Sequence, residues 1–310
     1  MYYKINKIYN NIKKIKIQGA TNIAYATIEG IELVVRYFKG DEKELKNKLK
    51  IIADKLSLAR DNEPLARNAV KYVFSNIGKS KAAKLKDVIL KSCTEYKGIL
   101  SRSTEDIVKF GTEILKDAEI ILTHCHSSSV INILKNLAKY KYINNGKLKI
   151  ISTETRPFYQ GRKTVIDLRK ANIDVTQIVD SASAAFIVES YYCPVSSVLV
   201  GCDEILNDGS FINKIGTFSI AIAAQKGKDK FYVVSTLLKI NPNKNIKNIK
   251  IEQRNASEVW KDAPRGVKII NPAFDKVPSE YITGYITEIG LVKPNSLLDS
   301  AKKVYPWIFN

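Results

Sequence analysis

The side chain most suited to chemistry in this sequence is a cysteine. Cys125 lies between His124 and His126, the two histidines of the chain, and follows the apolar run AEIILT. A helix N-terminus and nearby positive charge lower the pKa of a thiol, so a cysteine between a strand and the next helix is expected to favour thiolate. The alternative is a buried, inert cysteine. Residues two apart in an extended chain share the face opposite to the residue between them, so at most one histidine is expected to face a ligand beside the thiol.

Polar side chains also follow other short apolar runs in the second half of the chain. Glu154–Arg156 follow LKIIST, Asp180 follows IDVTQIV, and Cys202–Glu204 follow SSVLVG. Ligands of an open parallel sheet bind beyond the carboxyl ends of its strands, so these groups are predicted to converge on one edge with Cys125. Asp203 is a candidate general base, hydroxyl ligand or helix cap. A Cys125/Asp203 pair would suit proton transfer on a sugar, one group giving a proton and the other taking one.

Candidate anion-binding residues lie close to this pair in the sequence. A run of three serines precedes a predicted helix, and its N–H and hydroxyl donors would form a phosphate cradle or simply a helix cap: Ser127, Ser128 and Ser129. Asn213 and Lys214 follow a hairpin-like DGSF element. Lys239, after KFYVVSTLL, is a candidate phosphate counter-ion, with an ordinary surface lysine as the alternative.

The apolar periodicity changes in character along the chain. From residue 12 to about residue 115 apolar residues recur at helical spacing, as in TIEGIELVVRYF. Beyond that point short apolar runs alternate with helix-length segments such as VINILKNLAKYKYI, which is typical of βαβ units. We predict an α/β protein, with a helical domain over residues 1–115 and a Rossmann-like domain with a mostly parallel sheet over residues 116–310. Pro64 is expected to end one helix or open the next.

Composition limits the class of protein further. The 310 residues carry a formal net charge of +19, which is expected to attract polyanions. The alternative is that the lysines, which are spread along the whole chain, only solvate the exposed faces of helices. The absence of a CxxC pair argues against a zinc site or disulfide framework and for reduced thiols at Cys93, Cys125, Cys193 and Cys202. We expect no membrane association, because no run approaches the roughly 18 apolar residues of a membrane helix. The N-terminus lacks a secretory core, which predicts a cytoplasmic protein.

Five motifs resemble one protein superfamily. They are THCHSSS at 123–129, ETRPFYQGRKT at 154–164, VDSASA at 179–184, GCDEILNDGSFINKIGT at 201–217 and NPAFDKVPSEYITGYITEIG at 271–290. The superfamily unites the regulatory subunits of translation initiation factor 2B with methylthioribose-1-phosphate isomerase and archaeal ribose-1,5-bisphosphate isomerase. The chain looks most similar to the last of these. That resemblance implies that Cys125 and Asp203 form the catalytic pair, and that Asn213, Lys214, Lys239 and Arg60 hold sugar phosphates.

In the helical half the resemblance rests on QGAT at 18–21 and ARDNEPLARNAV at 59–70. It implies that the substrate is also bound by the residues of the first motif, which are Gln18, Gly19, Ala20 and Thr21. Two positions depart from the isomerase pattern: Gln18 replaces an arginine, and Ser128 replaces a lysine. Since each charge-assisted hydrogen bond contributes roughly 1.5–3 kcal/mol, losing two cations weakens a bisphosphate site. The alternatives are a monophosphate as substrate, or a pocket that senses a nucleotide or a sugar phosphate.

Two functions are therefore predicted as alternatives. The first is aldose–ketose isomerisation of a ribose phosphate, ribose 1,5-bisphosphate above all, with no metal or redox cofactor. NAD is disfavoured because no GxGxxG follows the first strand of the Rossmann-like part. The second is a regulatory protein that binds initiation factor 2, or the ribosome, and senses a nucleotide or sugar phosphate. The superfamily implies a homodimer or a hexamer, and YITGYITEIG is expected to offer apolar surface for it.

Overall fold

The computed structural model describes residues 1–78, 84–189 and 194–310, which separate into two compact units. The first unit comprises Met1–Ser103 together with Leu238–Pro242 and Asp299–Asn310. The second comprises Thr104–Leu237 and Asn243–Leu298. Two short segments from late in the chain therefore belong with its N-terminal part.

The first unit is helical. Its helices are α1 (Tyr2–Lys13), α2 (Ala20–Tyr37), α3 (Glu42–Ser57), α4 (Pro64–Asn76) and the first part of α5 (Leu85–Ile114). A capping box between Asp41 and Glu44 starts α3, and Pro64 occupies the first turn of α4, as predicted for a residue without a backbone N–H. Apolar residues at helical spacing, such as Ile23 and Ile31 of α2, form the buried face. The helical prediction for this region is confirmed.

Aromatic packing fixes the end of the chain within this unit. The ring of Trp307 lies 4.9 Å from the ring of Tyr72 on α4 and 5.0 Å from that of Tyr305, both edge to face. Lys71 Nζ donates to the carbonyl of Ile308 at 2.7 Å. Burial, followed by the charge of Arg67, lowers the pKa of Lys71. The C-terminal segment is thus an integral part of the helical unit.

The second unit is built on a mostly parallel sheet, as predicted. Within the described ranges seven strands form it in the order β11-β10-β7-β4-β1-β2-β3, and each neighbouring pair is parallel except β10 with β11. The bounds are β1 Ile120–Thr123, β2 Lys149–Thr153, β3 Asp174–Ile178, β4 Ser197–Val200, β7 Lys230–Val234, β10 Gly284–Thr287 and β11 Gly290–Val292. All four residues of β4 are buried, as expected for a strand covered on both faces.

Helices and a smaller antiparallel sheet complete this unit. The helices are α6 (Ser128–Ile143), α7 (Gln160–Arg169), α8 (Ser183–Val188) and α9 (Thr217–Gly227), and the smaller sheet contains β5 (Glu204–Leu206), β6 (Phe211–Lys214) and β9 (Phe274–Val277). A two-residue strand, β8 (Ile240–Asn241), lies in the first unit, and α10 (Leu297–Val304) contributes to both. No helix among the described residues is long and apolar enough to cross a membrane.

Candidate active site

The loop after β1 presents Cys125 at the carboxyl edge of the parallel sheet. The thiol-bearing residue is partly exposed, and its backbone is left-handed, with φ of 68°. Left-handed backbone is uncommon for a residue with a side chain and is found at functional sites more often than elsewhere. Ser127 follows as the N-cap of α6, its hydroxyl accepting from the N–H of Val130 at 3.4 Å. Ser128 and Ser129 are the first two residues of that helix.

Threonine hydroxyls bind both backbone polar groups of Cys125. The Cys125 N–H donates to Thr155 Oγ1 at 3.0 Å, and Thr164 Oγ1 donates to the Cys125 carbonyl at 2.7 Å. Thr155 follows β2 and Thr164 lies on α7, so three elements meet at this loop. The carboxylate of Asp180, after β3, accepts from the N–H groups of Thr155 and Arg156, each at 2.7 Å. Asp180 therefore holds the neighbouring loop.

His124 is a buried structural residue. Its Nε2–H donates to the carbonyl of Ile215 at 2.9 Å, so Nδ1 accepts from the hydroxyl of Thr153 at 2.6 Å in the neutral ring. Burial lowers the pKa of His124 to about 4, which keeps the ring neutral near pH 7. Gly216, with φ of 102°, packs against the ring, and a Cβ there would lie 3.0 Å from it.

His126 is directed towards α7. Its Nε2 lies 2.9 Å from Asp167 Oδ2 and 2.8 Å from Lys163 Nζ, and Lys163 bonds to Asp167 at 2.7 Å. The hydrogen bonds from Lys163 and then His126 lower the pKa of Asp167 to about 2. Because both histidines are engaged by other groups, each supports the loop.

The thiol is held in its protonated form. The pKa of Cys125 is raised to about 11, chiefly by burial. Lys214 and the backbone N–H of His126 act against this rise, and the charges of Asp203 and Asp180 add to it. The prediction of a lowered thiol pKa is therefore wrong, because desolvation outweighs the effects of Lys214 and the His126 N–H. A protonated thiol is a proton donor and a weak nucleophile.

Asp203, Asn213 and Lys214 occupy the neighbouring part of the same unit. Asp203 follows β4 and donates its N–H to the carbonyl of Ile212 at 2.9 Å. The side chain of Asn213 is buried and donates to Thr217 Oγ1 at 3.0 Å. Lys214 Nζ lies 4.8 Å from the centre of the Phe274 ring. Asp203 and Lys214 both act on the thiol of Cys125, since the charge of Lys214 lowers its pKa and that of Asp203 raises it.

The other predicted ligands lie in the first unit. Gly19, with φ of 83°, is the N-cap of α2; Ala20 and Thr21 begin that helix, and Gln18 Nε2 donates to the carbonyl of Ile15 at 2.9 Å. Arg60 pairs with Glu63 at 3.0 Å, both side chains being largely buried. Lys239 ends the short helical turn Leu237–Lys239. Their part in a site with Cys125 stays a prediction.

Sequence reasoning missed several polar residues that shape the site. The motif ETRPFYQGRKT contains Thr155, Gln160 and Thr164, but nothing in its spacing indicated that two of them bind the Cys125 backbone. Gln160 Oε1 is buried and has no hydrogen-bond partner among the described residues. Because Gln160 lies one helical turn before Thr164, it shares the face of α7 that contacts the Cys125 loop. Its amide is therefore a further candidate ligand.

Cysteine chemistry elsewhere is unremarkable. Among the described cysteines Cys93, Cys125 and Cys202 form no disulfide bond, and Cys193 lies outside the described residues. Burial raises the pKa of Cys93 to about 12. Within residues 1–78, 84–189 and 194–310 no group of three or more His, Cys, Asp or Glu side chains is placed to hold a metal ion.

Sequence comparison places this fold and loop arrangement in one class of protein. The model of the Initiation factor 2 subunit family matches residues 16–294, so the chain belongs to that family, as its motifs predicted. It is 34% identical to ribose 1,5-bisphosphate isomerase of Methanocaldococcus jannaschii, over 98% of this chain and 96% of that protein. It is 36% identical to the Archaeoglobus fulgidus protein of the same name, over 91% and 88%. The crystal structure of 5-methylthioribose 1-phosphate isomerase from Pyrococcus horikoshii OT3 matches with a TM-score of 0.77 and 26% identity, over 97% and 88% of the two chains.

Proposed function

We propose that the chain is an aldose–ketose isomerase that converts ribose 1,5-bisphosphate to ribulose 1,5-bisphosphate. The observation that carries this proposal is that Cys125 and Asp203 follow β1 and β4, two paired parallel strands, at the carboxyl edge of the sheet. The two near-full-length relatives described above are named for this reaction.

The chemistry needs one group that gives a proton and one that takes a proton. As the bond between C1 and the ring oxygen breaks, that oxygen gains a proton. Hydrogen is transferred from C2 to C1, and the C2 hydroxyl loses its proton as the carbonyl forms. The hydrogens are only redistributed, so no external oxidant or reductant takes part. Cys125 in its protonated form and Asp203 as carboxylate supply the two roles, and they exchange them over the cycle.

The phosphates and hydroxyls require cations and hydrogen-bond donors around this pair. In the second unit we assign this role to Lys214, Asn213 and the serines at the start of α6, with Gln160 Oε1 accepting from a sugar hydroxyl. In the first unit we assign it to residues 18–21, Arg60 and Lys239. With Gln18 and Ser128 neutral, phosphate affinity depends on the remaining cations, so a sugar monophosphate should be compared with the bisphosphate.

The test is direct turnover by the purified protein. Ribose 1,5-bisphosphate and methylthioribose 1-phosphate are supplied separately, and ketose formation is followed. Cys125→Ser and Asp203→Asn should each lower kcat about 1000-fold, because general acid–base groups contribute roughly 10²–10⁴-fold. Cys93→Ala and Asp174→Asn, which remove a buried thiol of the first unit and an exposed carboxylate of β3, should leave kcat within about twofold. Failure to convert either sugar, or full turnover by Cys125→Ser, would remove the proposal.

A regulatory role remains the alternative, supported by the family and by the net charge of +19. Binding through phosphates of RNA would weaken steeply with salt, with a log–log slope of about −0.7 per phosphate neutralised on a single strand. Stoichiometric recovery of initiation factor 2 in a pull-down, together with no isomerase activity, would favour this role.

We also propose that the chain forms at least a dimer. In this fold all residues of β10 are buried, whereas Ile289 and Leu291 next to it are 41% and 44% exposed, so these two residues offer apolar surface beside β10. Light scattering at micromolar concentration tests the proposal, and a monomeric mass would contradict it.

A further inference from the structure

Two residues in contact at the carboxyl edge of the sheet share an unusual backbone. Cys125 has φ of 68° and Thr155 has φ of 64°. For a β-branched residue such as threonine this conformation is a true outlier, and it persists only where the surrounding structure determines it. The surroundings of this pair are therefore informative.

Asp180 determines the backbone of Thr155. Its Oδ1 accepts from the Thr155 N–H and its Oδ2 from the Arg156 N–H, both at 2.7 Å. Hydrogen bonds to a charged acceptor are roughly twice as strong as neutral ones. Both oxygens of one carboxylate are thus used to hold two consecutive amides, which sets the direction of the Thr155 side chain.

Thr155 and Thr164 in turn determine the backbone of Cys125. The Thr155 hydroxyl is fully buried and accepts from the Cys125 N–H, and the Thr164 hydroxyl donates to the Cys125 carbonyl. A threonine in a helix commonly bonds to the carbonyl one turn earlier, but Thr164 bonds across to the cysteine loop. Gly161 makes this approach of α7 feasible, since a Cβ there would lie only 1.7 Å from the carbonyl oxygen of Thr153.

We propose that Thr155, Thr164 and Asp180 are positioning residues that fix the left-handed backbone of Cys125 and so hold its thiol in place at the carboxyl edge of the sheet. We call these three residues the Cys125 clamp. Its effect on catalysis rests on the proposed isomerase function, but its effect on the reactivity of the thiol can be measured without any turnover. The charged groups that act on this thiol are Asp203 after β4, Asp180 after β3 and Lys214 at the end of β6. Loosening the backbone changes the distance of the sulfur from all three and exposes it to water.

The experiment uses threonine substitutions that leave the backbone requirement unchanged. Valine has the shape and β-branching of threonine, so Thr155→Val and Thr164→Val remove only the hydroxyl. Thr155→Ser and Thr164→Ser keep it. Alkylation of Cys125 by iodoacetamide is measured from pH 7 to pH 11 on the folded full-length protein, by mass spectrometry of the peptide that contains this residue.

In the valine variants we expect the thiol to titrate closer to its ordinary pKa. The pKa of about 11 arises from burial against an ordinary value of 9.0, so partial release raises alkylation at pH 8 by about 10- to 100-fold. The serine variants should stay within about threefold of the natural protein. The alkylation rate of Asp180→Asn should lie between those of the valine and serine variants. An asparagine has one side-chain oxygen, so it keeps one of the two hydrogen bonds from the N–H groups of Thr155 and Arg156.

Thr112→Val is the matched control. Thr112 is also buried, donates to the carbonyl of Val108 at 2.7 Å and accepts from Asn136 at 2.9 Å, so the substitution removes the hydrogen bonds of a buried threonine that does not bind Cys125. It should leave the alkylation profile unchanged. Turnover is the second readout: each valine variant at Thr155 or Thr164 should lower kcat by about 10- to 100-fold, with KM within about threefold, as expected for a displaced catalytic group.

Different results separate the two proposals. Valine variants that fold but label with the natural rate and pH dependence would overturn the clamp, whatever the turnover. If the natural protein converts no sugar phosphate, the isomerase proposal fails while the labelling data still decide the clamp. If Thr155→Val does not fold, the comparison of Thr164→Val with Thr164→Ser tests the clamp. Thr164 lies within the regular helix α7, so its substitution does not disturb a left-handed backbone.

Discussion

The free energy of unfolding should depend on pH through one buried ring. His124 is only 2% exposed, and its neutral form satisfies both nitrogens, towards Ile215 and Thr153. Burial lowers its folded-state pKa to about 4, from 6.5. Between these two values the unfolded chain binds a proton at this ring and the folded chain does not. Stability from this group is therefore complete above pH 6.5 and is lost as the pH falls towards 4.

The size of the effect follows from the difference in pKa. Each pKa unit corresponds to about 1.4 kcal/mol, so His124 should remove about 3 kcal/mol of unfolding free energy between pH 7 and pH 4. Domains of this kind have about 5–15 kcal/mol in total, so the loss is a large fraction of the stability.

Urea unfolding followed by circular dichroism at several pH values between 7 and 4 measures the effect. Carboxylates also titrate near the lower end, so the natural protein is compared with His124→Gln, which does not titrate in this window. The variant should lose about 3 kcal/mol less over the same range. His126→Gln keeps His124 and should keep its contribution. Equal pH slopes for the natural protein and His124→Gln would refute the reasoning, even if the variant is less stable at every pH.

Other substitutions test charge and packing. Lys214→Met removes a cation that lowers the thiol pKa, so alkylation of Cys125 at pH 9 should slow severalfold, opposite to the effect of the threonine variants. Gly161→Ala should lower the free energy of unfolding in urea by about 2 kcal/mol or more, because its Cβ would meet a backbone oxygen. In the control Gly98→Ala, in α5, the Cβ meets only the flexible end of an arginine, so the free energy of unfolding should rise by up to about 1 kcal/mol. Trp307→Ala should lower the melting temperature of the helical unit, at a cost of about 2 kcal/mol, and an unchanged transition would contradict the packing described for the chain end.

Local patterns in the sequence determined the secondary structure and the position of the site. Apolar spacing predicted the helices of the first unit and the strands that alternate with helices in the second. Parallel strands present their carboxyl ends to one edge of the sheet. The residues that directly follow each predicted strand can therefore be assigned to that edge from the sequence alone. This is why Cys125 and Asp203, which follow strands far apart in sequence, could be predicted to lie at the same edge of the sheet.

The sign of the thiol pKa shift could not be predicted in this way. The sequence shows that Cys125 precedes a helix, which lowers a thiol pKa, but it does not show how much water the fold excludes. Burial is a property of all the elements packed around the residue, and here it outweighs Lys214 and the backbone N–H of His126. The histidines were ambiguous for the same reason, since their partners, Ile215 for His124 and Asp167 for His126, come from other segments.

Only the tertiary structure decided which polar residues support the cysteine and which distant segments join the first unit. Thr155, Thr164 and Asp180 act on Cys125 through bonds that span 25 to 39 positions, and no periodicity records such pairings. Residues 238–242 and 299–310 likewise belong to the helical unit although they follow strands of the other. Helical and strand spacing reflects contacts within a few residues, whereas hydrogen bonds and burial between distant segments exist only once the chain has folded.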